Sequence, residues 1–260
     1  MSQHIARKRF GQNFLQDGGV ISDIIAAIDP RECDCLIEIG PGLAALTEPL
    51  LQNIDHMHAV ELDRDLVVRL EKRFPPSKLT IHSMDALNFD FLSIEPNAKP
   101  RKVVGNLPYN ISSPLLFHLA TFAPHIDMQV FMLQKEVIER LVAAPSDKAY
   151  GRLSVMLQYR YEMEHLFDVP PHAFIPAPKV TSAIVRMYPK PASLLTATDE
   201  NHLSKLVAQA FSQRRKMLRN TLNGMVTLEQ MEACDIKPTA RAEELSVAQF
   251  VKLSNFLLQD

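Results

Sequence analysis

Apolar residues along the chain alternate between two periods. Short, nearly continuous runs, Cys35–Ile39, His58–Leu62, Leu79–His82, Lys102–Asn106 and Met128–Leu133, have the length and density of strands buried on both faces. Between them lie stretches with apolar positions three and four apart: Val20–Ile28, Leu46–Asn53, Asp63–Phe74, Ser113–Ala123, Lys135–Ala144 and Tyr150–Tyr159. Alternating strands and helices predict an α/β fold, with helices on both faces of a mostly parallel sheet. A last strand is expected over Thr181–Tyr188, and Pro189-Lys190-Pro191 breaks the pattern. Beyond it only helical spacing remains, at Leu203–Phe211, Arg215–Leu222, Leu228–Ala233 and Val247–Leu258. The expected organisation is therefore an α/β domain over 1–188 and a small all-α domain over 189–260.

Two stretches resist a purely structural reading. Gly40-Pro41-Gly42-Leu43-Ala44-Ala45 joins the first buried strand to a helix, the turn by which nucleotide cofactors are commonly held. The second strand ends at Glu61, about 20 residues beyond that turn, where an acid meets ribose hydroxyls. The spacing Gly-x-Gly-x-x-Ala equally suits a nicotinamide-dependent oxidoreductase. Asp85, after the third strand, is placed either to bind an adenine amino group or to cap a turn.

The other stretch is Val103-Val104-Gly105-Asn106-Leu107-Pro108-Tyr109-Asn110, at the carboxyl end of a strand. Pro108 has no N–H and pushes Leu107 into extended backbone. The Asn106 side-chain oxygen and the Leu107 carbonyl then form two acceptors for one amino group, with Tyr109 beside them to stack on a flat heterocycle. Downstream, four prolines between Val169 and Lys179 surround Phe174 and stiffen the segment that carries it.

Composition narrows the setting. No apolar run reaches membrane-spanning length, and the start of the chain lacks the apolar stretch of a secretory signal, so a cytoplasmic protein with no membrane partner is expected. Cys33, Cys35 and Cys234 are expected as small buried hydrophobes. The nine histidines are scattered, without His-Glu-x-x-His or paired cysteines, and no metal is expected. With a net charge of −2, nucleic-acid binding would have to come from local patches. Two exist: Arg7-Lys8-Arg9 ahead of Phe10 and Phe14, and Arg214, Arg215, Lys216 and Arg219 between apolar anchors.

The ordered set of motifs closely resembles the ribosomal RNA adenine dimethyltransferases, in particular the bacterial small-subunit type. The resemblance rests on Arg-Phe-Gly-Gln-Asn-Phe-Leu at 9–15, Glu-Ile-Gly-Pro-Gly at 38–42, Glu61-Leu62-Asp63 and Asp85-Ala86. Gly-Asn-Leu-Pro-Tyr-Asn at 105–110, Phe174 with its prolines, and Arg214-Arg215-Lys216 complete it. It implies a Rossmann-like class I methyltransferase sheet and S-adenosylmethionine as cofactor, with Asn13, Leu15, Gly40, Gly42, Glu61, Asp85 and Asn106 lining its site. It also implies catalysis by Asn106, Leu107, Pro108, Tyr109 and Phe174, the two aromatics sandwiching an extruded adenine. Accepting both N–H bonds of the adenine amine at Asn106 and the Leu107 carbonyl favours a pyramidal nitrogen, aimed at the methyl donor. The implied substrate is two adjacent adenosines in a hairpin loop near the 3′ end of 16S rRNA, within an immature small subunit, for an enzyme acting as a monomer. One departure is Ala44, where many members have a third glycine; the methyl is expected to be tolerated. A non-catalytic RNA-binding assembly factor on the same scaffold, and a large-subunit rRNA methyltransferase, are the alternatives.

Overall fold

The structure, a computed structural model, describes residues 13–95 and 100–259. In chain order the elements are β1 (Phe14–Leu15), α1 (Gly18–Ile28), β2 (Cys35–Ile39), α2 (Thr47–Leu50), β3 (Met57–Val60), α3 (Arg64–Arg73), β4 (Leu79–His82), β5 (Arg101–Asn106), α4 (Ser112–Ala120) and β6 (Met128–Gln134). They continue with α5 (Lys135–Val142), α6 (Arg152–Arg160), β7 (Tyr161–Val169), β8 (Phe174–Ile175), β9 (Ser182–Pro189), α7 (Glu200–Ala210), α8 (Leu218–Thr221), α9 (Leu228–Ala233) and α10 (Val247–Phe256).

The apolar runs become the centre of a seven-stranded sheet in the order β4-β3-β2-β5-β6-β9-β7. Strands β4, β3, β2, β5 and β6 pair in parallel, and β9 runs antiparallel to β6. Every residue of β2 is buried, as two helix-covered faces require. Strand order reverses direction between β2 and β5, so a crevice opens at their carboxyl ends. Gly105 permits their close approach: a Cβ there would lie 2.4 Å from the Ile39 carbonyl oxygen.

Local chemistry sets the helix ends. The Asp17 carboxylate accepts from the Gly19 and Val20 N–H groups at 2.9 and 3.1 Å to start α1, which stops at left-handed Asp29 before Pro30. Asp63 caps α3, which buries Leu66, Val67 and Leu70 and carries Lys72 and Arg73 in its last turn, where the helix dipole favours cations.

Two compact units emerge, one formed by residues up to Ile138 with Met163–Pro189, the other by Glu139–Glu162 with Lys190 onward. The sequence-based boundary at 188/189 thus misses that Glu139–Glu162 belongs with the helices. In that unit Tyr150, Val155 and Tyr159 share a core with Leu203, Leu206 and Phe250. The first unit has its own core, which includes Ile28, Leu36, Val104 and Val130.

Several expected elements differ. The helix expected over Leu46–Asn53 is reduced to Thr47–Leu50, with turns on either side. The helix expected over Arg215–Leu222 is only Leu218–Thr221, and Arg214–Lys216 lies in turns. Strand β7 occupies a stretch with no expected element, because its alternating exposed and half-buried residues at a sheet edge carry little apolar signal. Cys35 and Cys234 are buried, whereas Cys33 is exposed. Among the described residues no helix is long and apolar enough to cross a membrane.

Candidate active site

A cavity of about 330 Å³ lies at the carboxyl ends of β2, β3 and β5. Asn13, Leu15, Gly40, Gly42, Glu61, Asp85 and Asn106, separated by up to 93 positions, all line it, as do Leu107, Pro108 and Tyr109.

The glycine turn forms one wall. Gly42 has φ 57°, and a Cβ on it would meet the Phe14 ring at 3.2 Å, so both backbone and neighbour require glycine. Ala44 adopts φ 71° with its methyl buried, a left-handed conformation in which glycine is unstrained.

Glu61 is nearly buried. Its carboxylate accepts from the Gly42 N–H at 3.3 Å and from the Asp63 N–H at 2.8 Å, which locks the turn after β2 to the tip of β3. Burial raises its pKa, partly opposed by those backbone donors. Glu38, inside β2, also reaches the cavity and accepts from the Thr47 hydroxyl at 2.6 Å. Its pKa is pushed up to about 7, first by burial and further by the Glu61 charge, against the Thr47 hydrogen bond. Sequence reasoning left Glu38 without a role of its own. The available signal was a single acid inside an otherwise apolar buried strand. Asp85 uses one carboxylate oxygen to accept from the Leu87 N–H at 2.9 Å, so it caps a short turn while still facing the cavity.

The Asn-Leu-Pro-Tyr turn forms the opposite wall. The Asn106 Nδ2 group donates to the Asn13 carbonyl at 3.1 Å, which fixes the amide so that Oδ1 remains as an acceptor. The Leu107 N–H donates to the Met132 carbonyl at 3.1 Å and ties the turn to the end of β6. The Tyr109 hydroxyl shares a 2.6 Å hydrogen bond with Ser182 Oγ at the fully buried start of β9. Burial raises the phenol pKa, so Tyr109 stays neutral. Ser182 is thus a residue that orients Tyr109, and it escaped sequence reasoning because 73 positions separate the two.

Phe174 is placed differently. It is 2% exposed, packs in the core with Leu15, its partner across β1 and β8, and is not among the cavity-lining residues. Arg7, Lys8 and Arg9 lie outside the described residues. In the helical unit Arg214, Arg215, Lys216 and Arg219 are all exposed. Arg214 donates to Glu243 at 3.1 Å and also to the Lys148 carbonyl.

A parallel sheet with antiparallel β9 beside β6, a glycine turn after β2, an acid after β3 and Asn-Leu-Pro-Tyr after β5 define a class I methyltransferase. A family model described as Ribosomal RNA adenine dimethylase matches residues 3–259. The chain is 58% identical over 257 residues to Ribosomal RNA small subunit methyltransferase A of Chromobacterium violaceum, covering 99% of this chain and 97% of that protein. It is 59% identical over 256 residues to the protein of the same name from Herminiimonas arsenicoxydans, covering 98% and 100%. Among solved structures it is similar to a dimethyladenosine transferase from Plasmodium falciparum, with TM-score 0.79, 27% identity and coverage of 92% and 95%. It is also similar to the 23S rRNA methyltransferase ErmE, with TM-score 0.73, 25% identity and coverage of 95% and 100%. The chain belongs to the ribosomal RNA adenine dimethylase family and is an rRNA adenine methyltransferase.

Proposed function

We propose that the enzyme dimethylates the N6 amines of two adjacent adenosines in a hairpin loop near the 3′ end of 16S rRNA, within the immature small subunit. It does so as a cytoplasmic monomer that uses S-adenosylmethionine. The observation that carries this reading is the Asn106 amide, held by the Asn13 carbonyl with its oxygen left to accept.

The cavity suits the cofactor: it has apolar walls, a glycine turn without side chains, and two buried acids. Glu61 would take the ribose hydroxyls, Asp85 the adenine amino group, and Asn13, Leu15, Gly40 and Gly42 the remaining walls. When bound, S-adenosylmethionine supplies an electrophilic methyl group. The chain's own residues prepare the nucleophile. An adenine amine is weak because its lone pair is delocalised into the ring. Accepting its two N–H bonds at Asn106 Oδ1 and the Leu107 carbonyl favours a localised lone pair, and fixed orientation lowers the barrier further. Tyr109, steadied by Ser182, offers a stacking face to a base extruded from a loop, where extrusion costs least. Phe174 is proposed as the second face once substrate binding uncovers its ring, now buried beside exposed Ile175. After two transfers no N–H remains for the acceptors, which ends the reaction at dimethyladenosine.

Arg214, Arg215, Lys216 and Arg219, with Arg7, Lys8 and Arg9, are proposed to bind RNA phosphates. The relatives named as small-subunit methyltransferases support that substrate. Transfer of labelled methyl from S-adenosylmethionine to naked small-subunit RNA, immature small particles and large-subunit RNA tests the reading. Label is expected in the small-subunit substrates. Label confined to large-subunit RNA would assign the protein to the alternative substrate, and no label would leave an assembly factor.

A further inference from the structure

The scattered histidines do not stay apart. His56 and His58 stand two positions apart on β3 and its approach, and therefore point to one face of the sheet. Strand β4 pairs with β3 so that Val60 faces His82, which brings the His82 ring to 5.5 Å from that of His58 in a stacked arrangement. Glu95 arrives from a turn above the same face. His58 Nε2 lies 3.4 Å from Glu95 Oε1, and the His56 and His58 rings meet edge to face at 4.8 Å. One donor atom from each of His56, His58 and Glu95 lies within 4.8 Å of the other two. None of the three lines the cofactor cavity.

We propose that His56, His58 and Glu95 bind a divalent transition-metal ion, with zinc the best match to two imidazoles and one carboxylate. Donors about 2.1 Å from zinc stand roughly 3.4 Å apart in a tetrahedron. The widest donor separation therefore has to shorten by about 1.4 Å at most on binding, and the Glu95 side chain, 56% exposed, has room to move. Its backbone is already anchored, because buried Arg101 donates to the Ile94 and Glu95 carbonyls at 2.7 and 2.8 Å.

The histidines are prepared as ligands. The His56 Nε2 atom sits 2.9 Å from Thr80 Oγ1, which steadies the ring. His58 Nδ1 sits 3.3 Å from His82 Nε2. A metal on His58 Nε2 places the remaining imidazole proton on Nδ1, where His82 accepts it and holds the ring in orientation. The ion would clip the turn at Glu95 to the β3–β4 edge of the sheet.

The test uses the full chain, untagged and stripped with a chelator, titrated calorimetrically with zinc chloride. The expected result is one zinc per chain, no comparable binding of magnesium, and a rise in Tm of about 5 °C at a hundredfold excess over Kd. Glu95→Gln, a surface change with little consequence for folding, should weaken zinc at least about tenfold, as should His56→Ala. Cobalt(II) in the wild-type chain should absorb as a nitrogen and oxygen site, without the thiolate charge-transfer band that exposed Cys33 would produce. No stoichiometric binding, affinity unchanged in both variants, or a thiolate band would each overturn the proposal.

Discussion

Asn106 Nδ2 donates to the Asn13 carbonyl at 3.1 Å, and this bond decides which end of the amide faces the cavity. Asn13 comes from the segment that leads into β1, and Asn106 closes β5. A peptide carbonyl can only accept, so the side chain must turn its nitrogen toward it. The amide oxygen is thereby left as an acceptor at the cavity wall. The glycine turn is set by a similar lock, Glu61 on the Gly42 N–H.

That lock leads to the first prediction. Glu61→Ala should weaken S-adenosylmethionine binding by about 1–3 kcal/mol, since ribose hydroxyls lose a buried charged acceptor. Glu61→Gln retains an acceptor and should lose less. Calorimetric titration measures both, and unchanged affinity in the alanine variant would remove Glu61 from the site.

Glu38 predicts a pH dependence. Its ordinary value is 4.5 and its folded value about 7, so between these the folded chain holds a proton that the unfolded chain has released. Stability contributed at this position therefore falls as pH rises from about 4.5 to about 7 and stays low above that. The gap corresponds to at most about 3 kcal/mol. Glu38→Gln should match wild type near pH 5 and exceed its stability near pH 8. Denaturant melts at the two pH values, followed on the first transition, measure this. An equal difference at both pH values would refute an ionising Glu38.

Much of this site was legible because its parts sit at strand ends. Continuous apolar runs announced β2, β5 and β6, and the motifs followed directly after them. What stayed hidden depended on long-range pairing. Glu162, Glu164 and Asp168 disguise β7 as a loop, since an edge strand tolerates charge along its length. Nothing in the composition of Glu139–Glu162 says that Tyr150 and Tyr159 pack with Leu203 and Phe250. The resemblance set Phe174 against a base, whereas its pairing across β1 and β8 encloses the ring beside Leu15. The neighbourhood of His56, His58 and His82 required the register between β3 and β4.

The basic patch gives the third prediction. Replacing Arg215, Lys216 and Arg219 by alanine should weaken RNA binding and reduce the slope of log affinity against log salt by about 0.7 per lost contact. Arg214 already serves Glu243 and the Lys148 carbonyl, so its replacement should change the slope less than the average of the others. Filter binding across a salt series measures the slope. An unchanged slope in a folded triple variant would mark these cations as solvated surface.

The central claim is that the Asn106 amide activates the adenine amine. Single-turnover methylation at saturating S-adenosylmethionine and RNA, comparing wild type, Asn106→Ala and Asn106→Asp, isolates that step. An interaction made chiefly in the transition state lowers kcat more than it raises KM. Asn106→Ala is therefore predicted to lose about 100-fold or more in rate with RNA affinity nearly unchanged. Asn106→Asp keeps an acceptor and should outperform alanine, yet it cannot donate to the Asn13 carbonyl and should stay well below wild type. Equal single-turnover rates for wild type and Asn106→Ala would contradict the account.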